Sequence, residues 1–386
     1  LGLIAVAEGQ NNIHHNPAVV DIGEVEVIAP NFKRRLSGVT STIIQLVPVQ
    51  RALGYKVAAL GPGLPDTIPH IRFRDTLRLW RRPRGKHTRV WHARRNIEML
   101  AGLVLRDFLR VPIKLLFTSA AQRRHSSYTR RLIRRMDAVV ATSVRSGSFL
   151  DVSHSVIRHG VDLERFHPAA KGEDTIEETG LPGRYLIGCF GRIRHQKGTD
   201  LFVQAMIELL PNYPDWTAVI SGRVTPEHAG FADRLKAQIA AAGLSDRIRF
   251  LGEVDDIKPW YRRLTLYVAP SRNEGFGLTP LEAMASQTAV VASDAGAYAE
   301  MIVPGETGIC VPAGDYNALR DAIRIYLADP TRAAHNAEAG LRHVTNTFAL
   351  ENEARSLIHV YEKLIGSGPA GKITISPSKG MQNDYD

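Results

Sequence analysis

Residues 268–285 read Val268-Ala-Pro-Ser-Arg-Asn-Glu-Gly-Phe-Gly-Leu-Thr-Pro-Leu-Glu-Ala-Met-Ala285. The apolar run ending near Pro270 predicts a strand, the following residues a glycine-containing loop, and the stretch from Leu278 a helix. Backbone N–H groups at a helix start point outward with partial positive charge, which suits a diphosphate. Gly275 and Gly277 let the main chain approach a ligand closely. Glu274 stands before the turn and Glu282 about one turn inside the helix. One carboxylate can then reach sugar hydroxyls while the other accepts from a ribose. A Gly-x-Gly alone also fits half of a dinucleotide fingerprint, but Pro280 occupies the place of the third glycine. The bland alternative is a plain strand–loop–helix connection with two solvated glutamates.

The same alternation extends to both sides. Upstream, strands are predicted at Tyr185–Gly191, Thr217–Gly222, Arg247–Gly252 and Leu266–Pro270, with helices at Leu201–Leu210 and Phe231–Ala242 between them. Downstream come a helix at Leu281–Ser286 and strands at Ala289–Ser293 and Gly308–Val311. The first half repeats the pattern. Its strands are Val25–Pro30, Lys56–Leu60, Arg89–His92, Lys114–Thr118 and Ala138–Thr142. Its helices are Ser41–Leu53, capped by Gly54, then Asn96–Leu109 and Tyr128–Arg135. Strands separated by helices predict parallel sheets covered on both faces, an α/β fold. At 386 residues the chain is long enough for two domains. The expected division is an extension 1–23, a first domain 24–165, a second domain 166–349, a helix 350–365 and a Gly/Ser/Pro-rich tail 366–386.

Apolar residues make up 44% and charged residues 23%, a globular mix. No apolar run approaches the ~20 residues that a membrane-spanning helix needs. The start, Leu1 to Glu8, makes a poor signal peptide. The two cysteines, Cys189 and Cys310, sit in strand-like contexts without metal-ligand spacing. Reduced core thiols and a cytoplasmic setting are expected.

Charge is uneven. Residues 24–165 carry 27 Lys+Arg against 10 Asp+Glu, so the first half holds more positive charge than the +10 of the whole chain. That half is expected to meet something anionic. Arg72 to Arg95 contains ten basic residues and one acid, Asp75. Gln122-Arg-Arg-His125 and Arg130-Arg-Leu-Ile-Arg-Arg135 extend the charge. A solvated face explains any single arginine, but not a whole domain. An anionic membrane surface or a phosphorylated glycolipid would be attracted to it. A nucleic-acid-binding protein is the competing class, but no helix-turn-helix, zinc or RRM signature is present, so no specific nucleic-acid partner is expected. A sugar-phosphate phosphorylase or epimerase is the third reading.

The second chemical segment is Gly191-Arg-Ile-Arg-His-Gln-Lys-Gly198, directly after a strand. Arg192 as a fork and Lys197 as a point charge could neutralise a leaving diphosphate. Alone, the segment also fits a solvated basic turn.

Together, Glu274-x7-Glu282 with its embedded Gly-Phe-Gly-Leu-Thr-Pro-Leu-Glu-Ala resembles the signature of retaining glycosyltransferases of family 4 with the GT-B fold. Gly191 to Gly198 resembles that family's GR…KG element. Val156-Ile-Arg-His-Gly-Val-Asp162 with Phe166 resembles its linker, with Arg158-His159 in place of Pro-Asn. Leu36-Ser-Gly-Val-Thr40 resembles its first-domain glycine loop, with Ser37 in the first glycine position. The strings VWHARRN, FTSAAQRRH and CFGRIRHQKGTDLF are similar to lipopolysaccharide core mannosyltransferases of Gram-negative bacteria.

The resemblance implies two Rossmann-like domains facing across a cleft, with the C-terminal helix crossing back to the first. It implies mannose transfer from GDP-mannose onto the inner core near a Kdo residue on lipid A, at the inner face of the cytoplasmic membrane, without metal or other cofactor. Arg192, Lys197 and Glu274 would be catalytic. Gly38, Gly191, Gly222, Arg223, Glu253, Val254, Gly275, Phe276, Gly277, Leu278, Thr279 and Glu282 would bind the donor. Arg94, Arg95, Ser119, Gln122 and His125 are the acceptor-side candidates. The family often places a His after a first-domain strand. Here Ser119 takes that place, and His92, His125 and Gln122 are nearby alternatives. Asp255-Asp256 is expected to begin a helix and not to bind metal.

Overall fold

The computed structural model describes residues 18–34 and 38–366. Most of the expected N-terminal extension, Leu36-Ser37 of the glycine loop and the tail beyond Gly366 therefore lie outside the described residues. The strands form two six-stranded sheets, each alternating with helices as the sequence pattern requires. The first sheet contains β1 (Val27–Pro30), β2 (Val57–Leu60), β3 (Arg89–Ala93), β4 (Ile113–Ser119), β5 (Ala138–Ala141) and β6 (Ser155–Val156), in the order β2-β1-β3-β4-β5-β6. The second contains β7 (Tyr185–Phe190), β8 (Trp216–Ser221), β9 (Ile248–Gly252), β10 (Leu266–Ala269), β11 (Ala289–Ser293) and β12 (Ile309–Val311), in the order β12-β11-β10-β7-β8-β9. The chain divides into two compact units, up to Leu115 and from Leu116 onward, the division falling inside β4.

The helices of the first unit are α1 (Gly38–Ala52) and α2 (Asn96–Leu103). Those of the second are α3 (Ser127–Ile133), α4 (Val144–Gly147), α5 (Thr199–Leu209), α6 (Ala229–Ala241), α7 (Lys258–Arg263), α8 (Thr279–Ala285), α9 (Tyr298–Met301), α10 (Tyr316–Ala328), α11 (Pro330–Thr347) and α12 (Leu350–Gly366). The helix expected to run to Leu109 stops being α-helical at Leu103. Val104–Phe108 forms a π-helical turn, closed by Leu109 N–H donating to the Val104 carbonyl at 2.9 Å. The expected helix after Asp255-Asp256 is α7, and the Asp256 carboxylate accepts the Lys258 N–H at 3.0 Å.

Both faces of the second sheet are buried because its strands are near-continuous apolar runs, whose successive side chains point to opposite faces. Ile187, Cys189, Ala218, Ile220, Leu266, Val268, Ala289 and Val291 face one core, shared with α5, α6 and α10. Leu186, Phe190, Val219, Tyr267, Ala269, Val290 and Ala292 face the other, with α7, α8 and α9. Burial of the two thiols opposes their ionisation, pushing Cys189 up to about 12 and Cys310 up to about 11, as suits unreactive sulfurs in or beside a core. Gly340 lets α11 lie close against α8: a Cβ there would stand 3.1 Å from Met284 Cγ. The short helix that carries Glu282 is thus braced from behind.

Candidate functional site

The order of the second sheet reverses between β7 and β10. From β7 the chain moves outward to β8 and β9, and from β10 outward the other way to β11 and β12. Loops leaving the C-terminal ends of such neighbouring strands diverge and open a crevice, the usual ligand position in a parallel sheet. The two loops at this point are Gly191–Gly198 and Ser271–Leu278, the two segments singled out by their chemistry.

Backbone and side-chain bonds tie these loops together. Arg272 N–H donates to the Gln196 carbonyl at 2.9 Å. Its guanidinium forks onto Asp200 at 2.7 and 2.8 Å and also reaches the His195 carbonyl at 2.8 Å. Gly198 has φ 70°, and a Cβ there would stand 1.9 Å from the Pro270 carbonyl oxygen, so only glycine lets the loops meet. Lys197 is thereby set against Glu274, with which it forms an ion pair; the two side chains are 19% and 17% exposed. Glu274 also accepts the Gly275 N–H at 3.2 Å. Arg192 is exposed and, among the described residues, makes no ion pair.

Of the two loop glycines, Gly277 needs the left-handed region, at φ 83°, and a Cβ there would stand 2.4 Å from the ring of buried Tyr298. Gly275 does not need it, and a Cβ there would meet nothing closer than the Ala120 carbonyl oxygen at 3.9 Å. Gly275 therefore leaves open space and needs no special turn. That distance also brings the loop after β4 beside the Glu274 loop. Phe276 turns its ring into the core, edge-on to His159 with centroids 5.0 Å apart.

Leu278, at the head of α8, offers no capping side chain, so the N–H groups of the first turn keep their partial positive charge. Glu282 accepts a hydrogen bond from buried Tyr261 Oη at 2.9 Å. Burial pushes its carboxyl upward, against the opposing Tyr261 bond and the Arg165 and Lys197 charges.

The ends of β8 and β9 complete the rim. Gly191 N–H donates to the Ser221 carbonyl at 2.9 Å, Ile193 N–H to the Arg223 carbonyl at 3.0 Å, and Gly222 N–H to the Gly252 carbonyl at 2.9 Å. Arg223 and Glu253 are exposed there and Val254 is half-buried.

On the other sheet the order reverses between β1 and β3, and the loops beyond them hold Gly38, Arg94 and Arg95. Gly38 is exposed at the start of α1. Arg95 is occupied structurally: it reaches Glu98 and Asn31, both at 2.8 Å, and Thr40 at 3.1 Å. Arg94 donates to the His92 carbonyl at 3.2 Å. Arg89, counted in the basic stretch, is fully buried and bonds the carbonyls of Val25, Leu79, Arg81 and Ile22. Desolvation brings its guanidinium down to about 10. It is a strut of the fold and faces no acceptor.

Among the histidine alternatives, His92 is sealed inside β3, and desolvation holds it well below its ordinary value. His125 is half-buried and hydrogen-bonded through Nε2 to Ser119 Oγ at 3.0 Å. Desolvation and the nearby Arg123 charge lower its pKa, against Asp151. Gln122 donates to Ser143 Oγ at 3.3 Å. The structure thus gathers Ser119, Gln122 and His125 at one loop and removes His92.

Reading the sequence missed Arg272, Asp200 and Tyr261. The first two lie within two residues of Glu274 and Gly198, and their opposite charges in neighbouring loops were a usable signal. Tyr261 gave none, because a tyrosine in a basic segment has no evident partner.

A switch-point crevice lined by a lysine–glutamate pair and an uncapped helix start, on one of two Rossmann-like sheets, defines a GT-B glycosyltransferase. Residues 173–343 match the family model described as glycosyl transferases group 1. The chain is 68% identical over 346 residues to the lipopolysaccharide core biosynthesis mannosyltransferase LpcC of Rhizobium leguminosarum bv. viciae, covering 90% of this chain and 98% of that one. It is 55% identical over 350 residues to LpsB, named for the same role in Rhizobium meliloti strain 1021, covering 90% and 100%. Among solved structures, Anabaena HepE in complex with UDP and glucose shares the fold, with a TM-score of 0.73 and 17% identity over 88% of this chain and all of that one. The chain belongs to the glycosyltransferase group 1 family, within the group of the lipopolysaccharide core mannosyltransferases.

Proposed function

We propose that the protein transfers mannose from GDP-mannose, with retention at C1, onto the inner core of lipopolysaccharide near a Kdo residue on lipid A. The observation that carries the chemistry is the convergence of Lys197, Glu274 and the open start of α8 at the switch point of the second sheet. The choice of mannose and of the core acceptor rests on the two full-length relatives named for that activity.

In this reading Arg192, Lys197 and the first-turn N–H groups of α8 stabilise the departing diphosphate. This is preorganised stabilisation of charge that develops in the transition state, and one such donor is worth about 10²–10³ in rate. Glu274 orients the mannosyl group through its hydroxyls. Glu282 keeps one oxygen on Tyr261 and offers the other to the ribose. The acceptor hydroxyl enters on the face that the phosphate leaves. Two cations at the phosphates, Lys197 held by Glu274 and Arg192 exposed beside it, fit a reaction without metal, so activity is expected to survive chelator. The basic first half draws the enzyme and its anionic acceptor together at the cytoplasmic face of the inner membrane.

The test is turnover of GDP-mannose with and without a Kdo-bearing acceptor, alongside UDP- and ADP-sugars and with chelator present. Acceptor-dependent release of GDP supports the reading. Preference for another nucleotide sugar would replace the donor, and turnover indifferent to acceptor would remove the transferase.

A further inference from the structure

The first unit carries an outward apolar stripe beside the face that packs on its sheet. The helix α2 buries Glu98, Met99, Gly102 and Leu103. Gly102 is pressed against the β-sheet, where a Cβ would stand 2.8 Å from both Trp91 and Leu115 side-chain atoms. On its other side Ile97, Leu100, Val104 and Phe108 recur at helical spacing through the π-helical turn, and all four are exposed, Phe108 at 80%.

A second segment adjoins the end of this stripe. Trp80 donates its indole N–H to the Leu109 carbonyl at 2.9 Å, fixing the segment 73–82 beside residues 108–110. That segment exposes Phe73, Leu77 and Trp80, Leu77 at 77%. Interleaved with them are the exposed arginines 72, 74, 78, 81 and 82. The one acid among them, Asp75, is buried and accepts both the Arg72 N–H and its guanidinium at 3.1 Å.

Large apolar side chains that face water beside a dense band of arginine are costly unless something covers them. We propose that this face is a membrane-docking surface, in which Leu77, Trp80, Val104 and Phe108 enter the boundary between headgroups and acyl chains while Arg74, Arg78, Arg81 and Arg82 meet anionic lipid phosphates. The combination decides the partner. A nucleic acid would engage the arginines but leave the aliphatic Leu77, Leu100 and Val104 in water. A bilayer with anionic headgroups takes both at adjacent depths. The proposal rests on the reading of a membrane-bound acceptor and assigns it a face and an insertion mode.

The experiment is co-sedimentation of the full chain with vesicles of phosphatidylcholine mixed with phosphatidylglycerol, and with pure phosphatidylcholine. Transfer to a water-soluble Kdo-bearing acceptor is measured in parallel. Wild type is expected to bind the mixed vesicles and only weakly the neutral ones. The double variant Leu77→Glu/Phe108→Glu is expected to lose at least about tenfold in binding. Arg81→Ala and Arg82→Ala each lose about fivefold. All three keep soluble transfer unchanged. As a second readout that needs no charge inserted, Trp80 emission is expected to shift blue on adding mixed vesicles, with the shift absent in Trp80→Phe.

Mixed-vesicle binding that survives Leu77→Glu/Phe108→Glu, with no shift from Trp80, would overturn the assignment. So would a dimer in analytical ultracentrifugation that the double variant abolishes while wild type ignores vesicles. Absence of soluble transfer in wild type would instead count against the proposed function and leave the vesicle result to judge the surface alone.

Discussion

Lys197 and Glu274 are ion-paired across the two loops at the β7/β10 switch point, both side chains mostly withdrawn from water. The cation assigned to the leaving diphosphate is therefore held, before donor arrives, by the acid assigned to the sugar. An ammonium placed this way is already aimed and partly desolvated, so it reorganises little when phosphate charge develops.

Glu274→Gln separates the two roles. Removing the carboxylate charge frees Lys197 to favour phosphate, so GDP affinity measured by calorimetry is expected to hold or rise. Transfer is expected to fall about 10²–10³ in kcat, because the sugar loses its orienting acid. A parallel collapse of GDP affinity would mean that the pair is only a brace.

Arg272 is expected to act at a distance from chemistry. Its fork on Asp200 and its bond to the His195 carbonyl fix the spacing of the two loops. Arg272→Ala should raise the donor KM and lower kcat together while costing about 1–2 kcal/mol of stability, the bridge being partly screened. Lysine lacks the planar fork, so Arg272→Lys should restore little. Steady-state kinetics and denaturant titration of both variants check this.

Glu282 carries a stability cost with a defined sign. Burial raises its carboxyl above the unfolded value of 4.5. The folded state therefore holds that proton more tightly, and the stability this lends at acid pH is lost as pH rises through the raised value. Glu282→Gln is expected to melt higher than wild type at neutral pH, with the advantage disappearing below about pH 4. Each 1 kcal/mol gained should read as about 2–4 °C. If the ribose is held there, the same variant binds GDP more weakly. An unchanged melting difference between acid and neutral pH would contradict the buried-charge argument.

Gly198 tests whether the loops must touch. A methyl there meets a carbonyl at 1.9 Å and is forced into φ 70°. Gly198→Ala is expected to destabilise by about 2–4 kcal/mol, combining left-handed strain with main-chain displacement. Gly275→Ala, at an unstrained position with room around it, should leave the melting temperature within a degree or two while obstructing donor binding.

The strands of the second sheet were legible because residues such as Ile187/Cys189 and Leu186/Phe190 face two different cores, which leaves short continuous apolar runs in the sequence. The loops were legible because glycine, arginine and glutamate cluster at strand ends. The helices α10 and α11 were not read. The buried face of α11 includes Ala333, Ala337, Ala339 and Gly340, too small to stand out from polar neighbours. That of α10, with Leu319, Ile323, Tyr326 and Leu327 at helical spacing, was a usable signal. The π-helical turn at Val104–Phe108 was hidden because its residues continue the helical apolar spacing of Ile97 and Leu100. The surroundings of Arg89 and Arg95 were not legible for a general reason. An arginine that satisfies buried carbonyls and one that faces an anionic ligand look alike in sequence, and only the surrounding acceptors separate them.

The most direct test is a crystal structure of the protein with GDP bound. The diphosphate is expected within hydrogen-bonding distance of Lys197, Arg192 and the first-turn N–H groups of α8, with the ribose on Glu282. A diphosphate that contacts none of these, with the Lys197–Glu274 pair left untouched, would contradict that placement.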